Sequence, residues 1–379
     1  MKYYIIAGEA SGDLHGSNLI HGLTTLDKGA QIRFWGGELM AQAAGASGTL
    51  VRHYKDGAVM GFTDVLAKIG MLLGNVRFCK NDIIAWKPDV VILIDYPGFN
   101  FKIAEFAHGK GFRVFYYIAP KTWASREGRN RKLRRYVDRL FIIFPFERSY
   151  FDEHGIPYTY AGNPLLDAVD NHRYSPVCEG RSIAILAGSR KSETERMMPV
   201  CMEVADRFAA DKSLKDYTFI VAAAPSRNAA EYEKYIGGRP NVRLVSGRTY
   251  DALRFADAAV INSGTASLEA VLIRTPQIVC WSCSKLTAFV ARNILHVLDK
   301  VKFISLGNII IGREAFPELI QENFTADKVY DRLKRLITDK TYRAGMLSDY
   351  ECIRKNLGGT GASAAVAREM IGMLEGKMV

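Results

Sequence analysis

The chain contains few cysteines, no long apolar run and no secretion signal, and each absence narrows its possible class. Six cysteines in 379 residues are too few for a disulfide scaffold. The apolar stretch that follows Lys2 meets Glu9, too soon for the apolar region of a signal peptide. No window holds about 18 consecutive apolar residues, the length that a membrane-spanning helix needs. We therefore expect reduced thiols and a cytoplasmic location.

Motifs for metal binding are also missing. No two aspartates stand two positions apart, so the Asp-x-Asp clamp on a metal-bound diphosphate is absent. Cys280 and Cys283 have the spacing of a redox or zinc pair, but no second pair and no histidine at ligand spacing accompany them. This favours a structural role. No nucleic-acid motif occurs either, and the sequence predicts no metal, no cofactor and no nucleic-acid partner.

What the chain does have is a surplus of positive charge. Its 51 Lys and Arg residues exceed its 40 Asp and Glu residues, and the formal net charge is +11. Such a surplus favours an anionic partner: a phosphate-bearing metabolite, a membrane surface or a nucleic acid. A non-catalytic basic protein that binds lipid or RNA through residues 126–135 is one alternative. This segment is a predicted helix whose basic side chains form either a solvated face or a site for anionic lipid. Its cations are Arg126, Arg129, Arg131, Lys132, Arg134 and Arg135.

Short apolar runs alternate with helical stretches along the chain. Near-continuous apolar runs of about 4 to 8 residues are typical of parallel strands covered on both faces, and their alternation with helices predicts doubly wound sheets. The predicted class is α/β with two Rossmann-like domains, 1–165 and 166–326, followed by helices over 327–379. The predicted strands include Tyr3–Ala7, Val90–Ile94, Val114–Ile118, Leu140–Phe144, Ile183–Leu186, Phe219–Ala223, Ala258–Ile261 and Gln277–Cys280.

Two small-residue loops, Gly8–Asp13 and Gly188–Arg190, follow predicted strands and open predicted helices. Ligands of open α/β sheets bind where such loops meet helix N-termini, because unpaired backbone N–H groups there attract anions. Arg190 adds a guanidinium suited to a phosphate. Neither loop has the G-x-G-x-x-G or Walker A pattern, which argues against NAD-dependent hydride transfer and P-loop NTPase chemistry. Taken alone, Gly188–Arg190 is more typical of an ordinary helix cap.

Two further strand ends are followed by carboxylates. Asp95 comes directly after Val90–Ile94, where a carboxylate is costly unless it is functional or hydrogen-bonded. Its possible roles are a general base or a cap of the following turn. Glu269 lies about one turn into the helix that follows Gly264-Thr265-Ala266. It is equally typical of a helix cap and of a clamp on a ribose hydroxyl pair.

Residues 59–74 are nearly all apolar and are broken by Asp64 and Lys68. A buried helix is the default interpretation of such a segment. An interfacial helix or an acyl-chain groove is the alternative.

Together these segments resemble the lipid A disaccharide synthase family, membrane-associated glycosyltransferases of lipopolysaccharide synthesis. The matching segments run in order through nearly the whole chain. Each is weak alone, but the ordered set is highly specific. They are Ala7–Asp13, Gly36–Met40, Met60–Phe62, Ile94–Asn100, Pro120 with Trp123, Gly162–Pro164, Gly188–Arg190, Gly264–Ala266 with Glu269, and Asn308 followed by Pro317–Leu319 and Gln321.

The resemblance implies a GT-B fold, in which two Rossmann-like domains face each other across a cleft. It implies that 1–165 holds the acceptor and the acyl or membrane side and that 166–326 holds the UDP-sugar donor. The helices of 327–379 would pack back on the first domain or on a partner chain, in a monomer or a C-terminally swapped homodimer. The family implies peripheral association with the anionic surface of the inner membrane.

The activity implied is transfer of 2,3-diacylglucosamine from its UDP adduct to 2,3-diacylglucosamine 1-phosphate. The products are a β-1,6-linked disaccharide 1-phosphate and UDP, with inversion at the sugar C1. A GT-B enzyme acting on another UDP-N-acetylglucosamine-type donor, such as a 2-epimerase, is the nearest alternative.

The resemblance also assigns roles to residues. Asp95 would be the catalytic base. Residues that would bind the donor are Glu9, Gly188, Ser189, Arg190, Gly264, Thr265, Ala266, Glu269, Asn308 and Gln321. Residues that would face the acceptor or the membrane are Met60, Phe62, Val65, Leu66, Ile69, Leu72, Leu73, Arg129, Arg131 and Lys132.

Overall fold

The computed structural model describes residues 1–57, 65–123, 127–225, 227–283 and 302–376, and for residues 57 and 65–69 it describes the backbone alone. The chain forms two compact units. Unit 1 comprises Met1–Asp167 with Gly359–Val379, and unit 2 comprises Ala168–Gly358. Each unit has its own parallel sheet with helices between its strands, so the predicted α/β class with two Rossmann-like domains is confirmed.

The sheet of unit 1 is built from β1 (Lys2–Ala7), β2 (Gln31–Gly36), β3 (Gly48–His53), β4 (Val90–Ile94), β5 (Arg113–Tyr117), β6 (Arg139–Ile142) and β7 (Tyr158–Tyr160). Its seven strands are parallel in the order β3-β2-β1-β4-β5-β6-β7. Every residue of β4 is buried, as expected of a strand covered on both faces. The strand order reverses between β1 and β4, the place where open α/β sheets bind ligands.

The helices of unit 1 between these strands are α1 (Ala10–Leu26), α2 (Glu38–Ala44), α3 (Val65–Trp86), α4 (Pro97–Gly109), α5 (Asn130–Tyr136), α6 (Glu147–Glu153) and α7 (Pro164–Asp170), the last of which crosses into unit 2. The proline at the start of α4 suits the first helical turn, because its fixed φ fits the helix and no N–H is needed there. Within the described parts of the chain, no helix combines the length and the apolar character needed to cross a membrane.

The strands of unit 2 are β8 (Ser182–Leu186), β9 (Thr218–Ala223), β10 (Val242–Ser246), β11 (Ala258–Asn262), β12 (Gln277–Trp281) and β13 (Glu318–Ile320). They are parallel in the order β10-β9-β8-β11-β12-β13, which reverses between β8 and β11. Its helices are α8 (Lys191–Ala210), α9 (Ala230–Ile236), α10 (Thr249–Arg254), α11 (Thr265–Ile273), α12 (Leu306–Ile311), α13 (Ala326–Thr338) and α14 (Lys340–Leu357).

The C-terminal helices are divided between the two units. Helices α13 and α14 belong to unit 2, whereas the last helix, α15 (Ala362–Leu374), belongs to unit 1 and packs on α1. The carboxylate of Asp167 accepts hydrogen bonds from the backbone of Gly361 and of Ser363, the latter at 3.1 Å. These bonds satisfy free N–H groups at the start of α15. The α1–α15 contact is close, because a Cβ added to Gly22 would lie 3.0 Å from Ala367 Cβ.

We expect the Gly22→Leu variant to be less stable than the wild type by about 1–3 kcal/mol, because the larger side chain overpacks the α1–α15 contact. Urea denaturation measures the free energy of unfolding, and hydrogen exchange of 362–374 should become faster. Gly109→Leu is the matched control, since no described atom lies within 4 Å of a Cβ added at the end of α4. Equal stability of the two variants would contradict the prediction.

Candidate active site

Asp95 directly follows β4 and begins the connection to α4. Asp95 and Tyr96 have φ angles of +42° and +45°, in the left-handed region that costs a residue with a side chain about 1–2 kcal/mol. Neighbouring side chains hold this backbone, because the carbonyl oxygen of Asp95 accepts hydrogen bonds from Asn100 Nδ2 at 2.8 Å and from the Tyr116 hydroxyl at 2.6 Å. The fold therefore fixes the direction in which the Asp95 carboxyl leaves the strand.

Three charged residues follow neighbouring strands along one edge of the sheet of unit 1. Glu9 follows β1, Asp95 follows β4 and Lys121 lies four residues beyond the end of β5 at Tyr117. Burial raises the pKa of Asp95, the ammonium of Lys121 lowers it and the carboxylate of Glu9 raises it, with a net increase. A carboxylate with a raised pKa accepts a proton more readily near neutral pH.

Asp13, in the same loop motif as Glu9, has a different environment. Its buried carboxylate accepts hydrogen bonds from the backbone N–H groups of Gly37, Leu39 and Met40 at 2.7–3.1 Å. It therefore satisfies free donors at the start of α2. Glu9 is exposed and makes no cap bond to α1. The motif thus contains one carboxylate that supports the fold and one that is available at the surface.

Glu147 is a buried carboxylate in unit 1 that the sequence analysis missed. Its side chain is 1% exposed and accepts hydrogen bonds from the backbone of Ile143 at 3.2 Å and of Phe144 at 3.1 Å. Burial raises its pKa to about 7, while those backbone bonds, Trp123 and Lys121 lower it. Glu147 is the first residue of α6, five residues beyond the end of β6 at Ile142, so a search for carboxylates in the whole connection after each strand would have found it.

In unit 2, the loop after β8 forms a turn that requires glycine. Gly188 has a φ of +97°, and a Cβ there would lie 2.5 Å from Glu193 Oε2. That oxygen accepts hydrogen bonds from the backbone N–H groups of Ser189 at 3.0 Å and of Arg190 at 3.1 Å. The other oxygen of Glu193 pairs with the Arg190 guanidinium at 3.1 Å. The expected helix cap is therefore present. The Glu193 carboxylate occupies the backbone N–H groups of Ser189 and Arg190, two residues that were predicted to bind the phosphate of the donor.

The loop after β11 leaves its donors open. Gly264 caps α11 without a side-chain hydrogen bond, and the structure gives the amides of Thr265 and Ala266 no acceptor among the described residues. These N–H groups lie at the positive end of the helix dipole and attract anions. Strand β11 pairs with β8 through Ile261 and Leu186, so this loop and Gly188–Arg190 follow neighbouring strands.

Glu269 lies within α11 rather than at its start, so it does not cap this helix. One carboxylate oxygen accepts a hydrogen bond from the Tyr250 hydroxyl at 3.0 Å, and burial raises the pKa of Glu269. The Tyr250 ring packs edge-on against His172, with ring centres 5.2 Å apart. The half-buried carboxylate keeps acceptor capacity beyond this single bond.

Asn308 and Gln321 bond within unit 2. Asn308 is fully buried, and its Nδ2 donates to the Phe316 carbonyl at 3.0 Å and to the Glu318 carboxylate at 2.9 Å. The half-buried Gln321 has a φ of +53°, and its Oε1 accepts from the Cys283 backbone N–H at 2.8 Å. Both side chains fix neighbouring loops in this structure. Within the described residues, no three His, Cys, Asp or Glu side chains are grouped to hold a metal ion.

The predicted acceptor and membrane residues of the apolar segment are only partly visible. Met60 and Phe62 lie outside the described residues, and of Val65, Leu66 and Ile69 only the backbone, the first turns of α3, is described. Leu72 packs partly against the core of unit 1, whereas Leu73 is 54% exposed. The other exposed large apolar side chains among the described residues of unit 1 are Leu26, Leu39, Leu50, Phe78 and Ile84.

The basic residues of α5 and the turn before it differ in their environments. Arg129 is half-buried, and its guanidinium lies 5.8 Å from the centre of the Phe101 ring. Arg131 and Lys132 are exposed, and Lys132 Nζ lies 3.9 Å from the Glu105 carboxylate. An exposed pair at this distance contributes little to stability, so both cations remain accessible to solvent.

Solved structures of low sequence identity share this architecture. A putative UDP-N-acetylglucosamine 2-epimerase from Listeria monocytogenes has a TM-score of 0.71 and 14% identity, covering 100% of this chain and 97% of that one. The calicheamicin glycosyltransferase CalG4 has a TM-score of 0.60 and 14% identity, covering 100% and 98%. These likenesses confirm the predicted GT-B fold.

Sequence comparison is more specific. The lipid-A-disaccharide synthase of Syntrophus aciditrophicus is 36% identical over 374 residues, which is 96% of this chain and 95% of that protein. The enzyme of the same name from Geobacter sulfurreducens is 33% identical over 387 residues, covering 100% and 98%. The family model described as lipid-A-disaccharide synthetase matches residues 3–363. With the predicted motifs in order on two such sheets, the chain belongs to the lipid-A-disaccharide synthetase family.

Proposed function

We propose that this chain is an inverting glycosyltransferase that moves 2,3-diacylglucosamine from its UDP adduct to 2,3-diacylglucosamine 1-phosphate. The products are the β-1,6-linked disaccharide 1-phosphate and UDP. The observation that carries the proposal is the Asp95 carboxyl, held at a strand end with a raised pKa in a chain of this family. Unit 1 supplies the acceptor side of the reaction, and unit 2 supplies the donor side.

Asp95 is the general base in this proposal. Its carboxylate takes the proton of the acceptor 6-hydroxyl while that oxygen forms a bond to C1 of the donor sugar. The bond between C1 and the UDP oxygen breaks, and UDP leaves with the electron pair. A positioned base contributes about 10²–10⁴ in rate. The fixed backbone of residues 95 and 96 supports the role, because a base must be held within hydrogen-bond reach of its proton.

The departing UDP needs groups that stabilise its negative charge. The open amides of Thr265 and Ala266 at the start of α11 are suited to a phosphate. The Arg190 side chain is 75% exposed, and its guanidinium can exchange the Glu193 carboxylate for a phosphate, the stronger anion. Donors already in place before reaction are the most effective. Glu269, with its remaining acceptor capacity, binds the ribose hydroxyls.

Both substrates carry acyl chains, so the enzyme has to work at a membrane surface. The exposed side chains of Leu73 and Phe78 on α3 shelter acyl chains or enter the membrane interface. Each CH₂ buried in this way stabilises binding by about 0.8 kcal/mol. The exposed cations Arg131 and Lys132 attract anionic lipid. Peripheral association with the inner membrane follows.

The test of the reaction is UDP release from both diacylated substrates in detergent with EDTA present, with mass spectrometry of the lipid product. We expect disaccharide 1-phosphate from the wild type. Asp95→Asn should lower kcat by about 10²–10⁴, because the amide cannot accept the proton, and should leave UDP binding within about twofold.

Asp89→Asn is the matched control, since Asp89 lies at the opposite end of β4, is exposed and receives a hydrogen bond from Lys2. We expect the control to keep wild-type turnover. Wild-type turnover by Asp95→Asn would refute the base assignment. UDP release without disaccharide would refute the proposed acceptor sugar. The activity would then be hydrolysis of the donor or transfer to another molecule.

The pH profile of kcat/KM gives a second test of Asp95. Activity should fall as the pH drops through the raised pKa of Asp95, because protonation removes the base. Charged and titratable groups at Asp95 are Glu9, Lys121, Tyr96 and Tyr116. Glu9→Gln removes a negative neighbour, so the acidic limb should move to lower pH. The same shift in the control Glu105→Gln, an exposed site on α4, would show that the effect is not local.

Flotation with vesicles tests the membrane proposal. We expect the protein to float with phosphatidylglycerol vesicles at low salt and to dissociate as salt rises, since the cationic attraction is screened. Leu73→Asp should weaken binding about tenfold through loss of a buried apolar side chain. Leu26→Asp, at an exposed leucine on α1, is the control. Equal effects of the two substitutions would contradict a role for α3.

A further inference from the structure

Lys121 stands on the edge of unit 1 that carries Asp95. Strands β4 and β5 pair through Ile94 and Tyr117, and the Asp95 backbone N–H donates to the Tyr117 carbonyl at 3.2 Å. The segment that leaves β5 therefore starts beside Asp95. Lys121, four residues further on, acts through its charge on Asp95 and on Glu147. It lies between two carboxylates that follow the strands on either side.

The backbone around Lys121 is anchored while its side chain is exposed. Ala119, Pro120 and Thr122 are buried on both sides of it, and Lys121 itself is exposed. Trp123 packs edge-on against Phe146, with ring centres 4.9 Å apart. Buried neighbours on both sides of one exposed residue fix the place from which the ammonium extends. The fold therefore fixes the position of Lys121, which is not an arbitrary point on a solvated loop.

The charge of Lys121 is not used in a direct ion pair with any described carboxylate within 4.0 Å. Arg190 and Lys132, in contrast, are paired with Glu193 and Glu105. The carboxyl groups of Glu9, Asp95 and Glu147 lie beyond the neighbouring strands at this edge. An anionic ligand there would be repelled by those carboxyls that are ionised unless a cation offsets them.

We infer that the Lys121 ammonium binds the phosphate group of the acceptor sugar while Asp95 receives the proton of its 6-hydroxyl. This inference rests on the proposed function. C1 and C5 of a hexopyranose both bond to the ring oxygen, so the phosphate on C1 and the hydroxymethyl group on C5 lie on neighbouring sides of the ring. Asp95 and Lys121 follow adjacent strands at the same edge of the sheet, so one acceptor sugar can place its phosphate at Lys121 and its 6-hydroxyl at Asp95.

The ligand class is thus a sugar phosphate monoester, and Lys121 gives the acceptor site its preference for it. The ammonium has a second effect on the same reaction. A bound phosphate near Asp95 would favour the protonated form of the base, and the positive charge of Lys121 opposes that. Lys121 therefore allows an anionic acceptor beside an ionised base.

Acceptor binding tests the inference without turnover. We would titrate diacylglucosamine 1-phosphate in neutral detergent micelles into the wild type and into Lys121→Gln, and repeat both with the same lipid lacking the phosphate. Lys121→Gln should weaken binding of the phosphorylated lipid about tenfold, as loss of a charged hydrogen bond does. Binding of the unphosphorylated lipid should be equal in the two proteins. The difference should shrink as salt rises, because Lys121 is exposed.

Two control variants separate charge from structure. Lys121→Arg keeps the positive charge and should bind the phosphorylated lipid within about threefold of the wild type. Lys110→Gln removes an exposed lysine at the end of α4, before β5 begins at the opposite edge of the sheet, and should bind like the wild type. Unchanged binding of the phosphorylated lipid by Lys121→Gln, or equal weakening for both lipids, would overturn the inference.

Further measurements separate this inference from its alternatives. If Lys121→Gln weakens flotation with phosphatidylglycerol vesicles as much as acceptor binding, Lys121 recognises membrane headgroups and the inference fails. In the transfer assay, the variant should raise the acceptor KM and leave the donor KM unchanged. If the wild type binds the phosphorylated lipid through Lys121 but forms no disaccharide, the proposed function fails, and of the inference only the contact between Lys121 and the phosphate stands.

Discussion

Strand β1 pairs in parallel with β4, with Tyr3 opposite Val90 at one end and Ala7 opposite Ile94 at the other. In the second unit, strand β8 pairs in parallel with β11. These two pairings lie where each sheet reverses its strand order, and the other features of the site depend on them. They set Glu9 beside Asp95 in one unit, and in the other unit they set the loops Gly188–Arg190 and Gly264–Ala266 next to each other. Backbone hydrogen bonds fix the register, and a slip of one residue would turn every side chain to the other face.

In both units, carboxyl groups lie where an anionic ligand is expected to bind. A cation offsets their negative charge in each unit, but its arrangement differs. In unit 1, Lys121 acts on Asp95 and Glu147 together. In unit 2, Glu193 occupies two backbone donors and pairs with Arg190. A preformed hydrogen-bond arrangement costs less to organise when a substrate arrives than a flexible one. The loop Gly188–Arg190 is thus held by hydrogen bonds without a ligand, and in the proposed reaction the UDP phosphate would replace the Glu193 carboxylate.

Several residues of the motifs make hydrogen bonds that support the fold. Asp13 caps α2, Asn308 is fully buried and bonded to Glu318, and Gln321 holds the end of β12 through Cys283. A motif residue that fixes a loop and one that touches substrate look the same in a sequence. Only burial and hydrogen-bond partners separate the two, which is why Glu9 and Asp13, four positions apart, have different roles.

The sequence by itself determined the two α/β sheets, the strand ends at Ile94 and Leu186 and the family, because apolar runs and small-residue loops are local signals that parallel sheets require. Tertiary structure decided the rest. It assigned α13 and α14 to unit 2 and α15 to unit 1, and it placed Glu147 and Lys121 on the edge that carries Asp95. These relations join residues far apart in the chain, and the pKa of a carboxyl depends on burial and on charges that only the folded chain brings near.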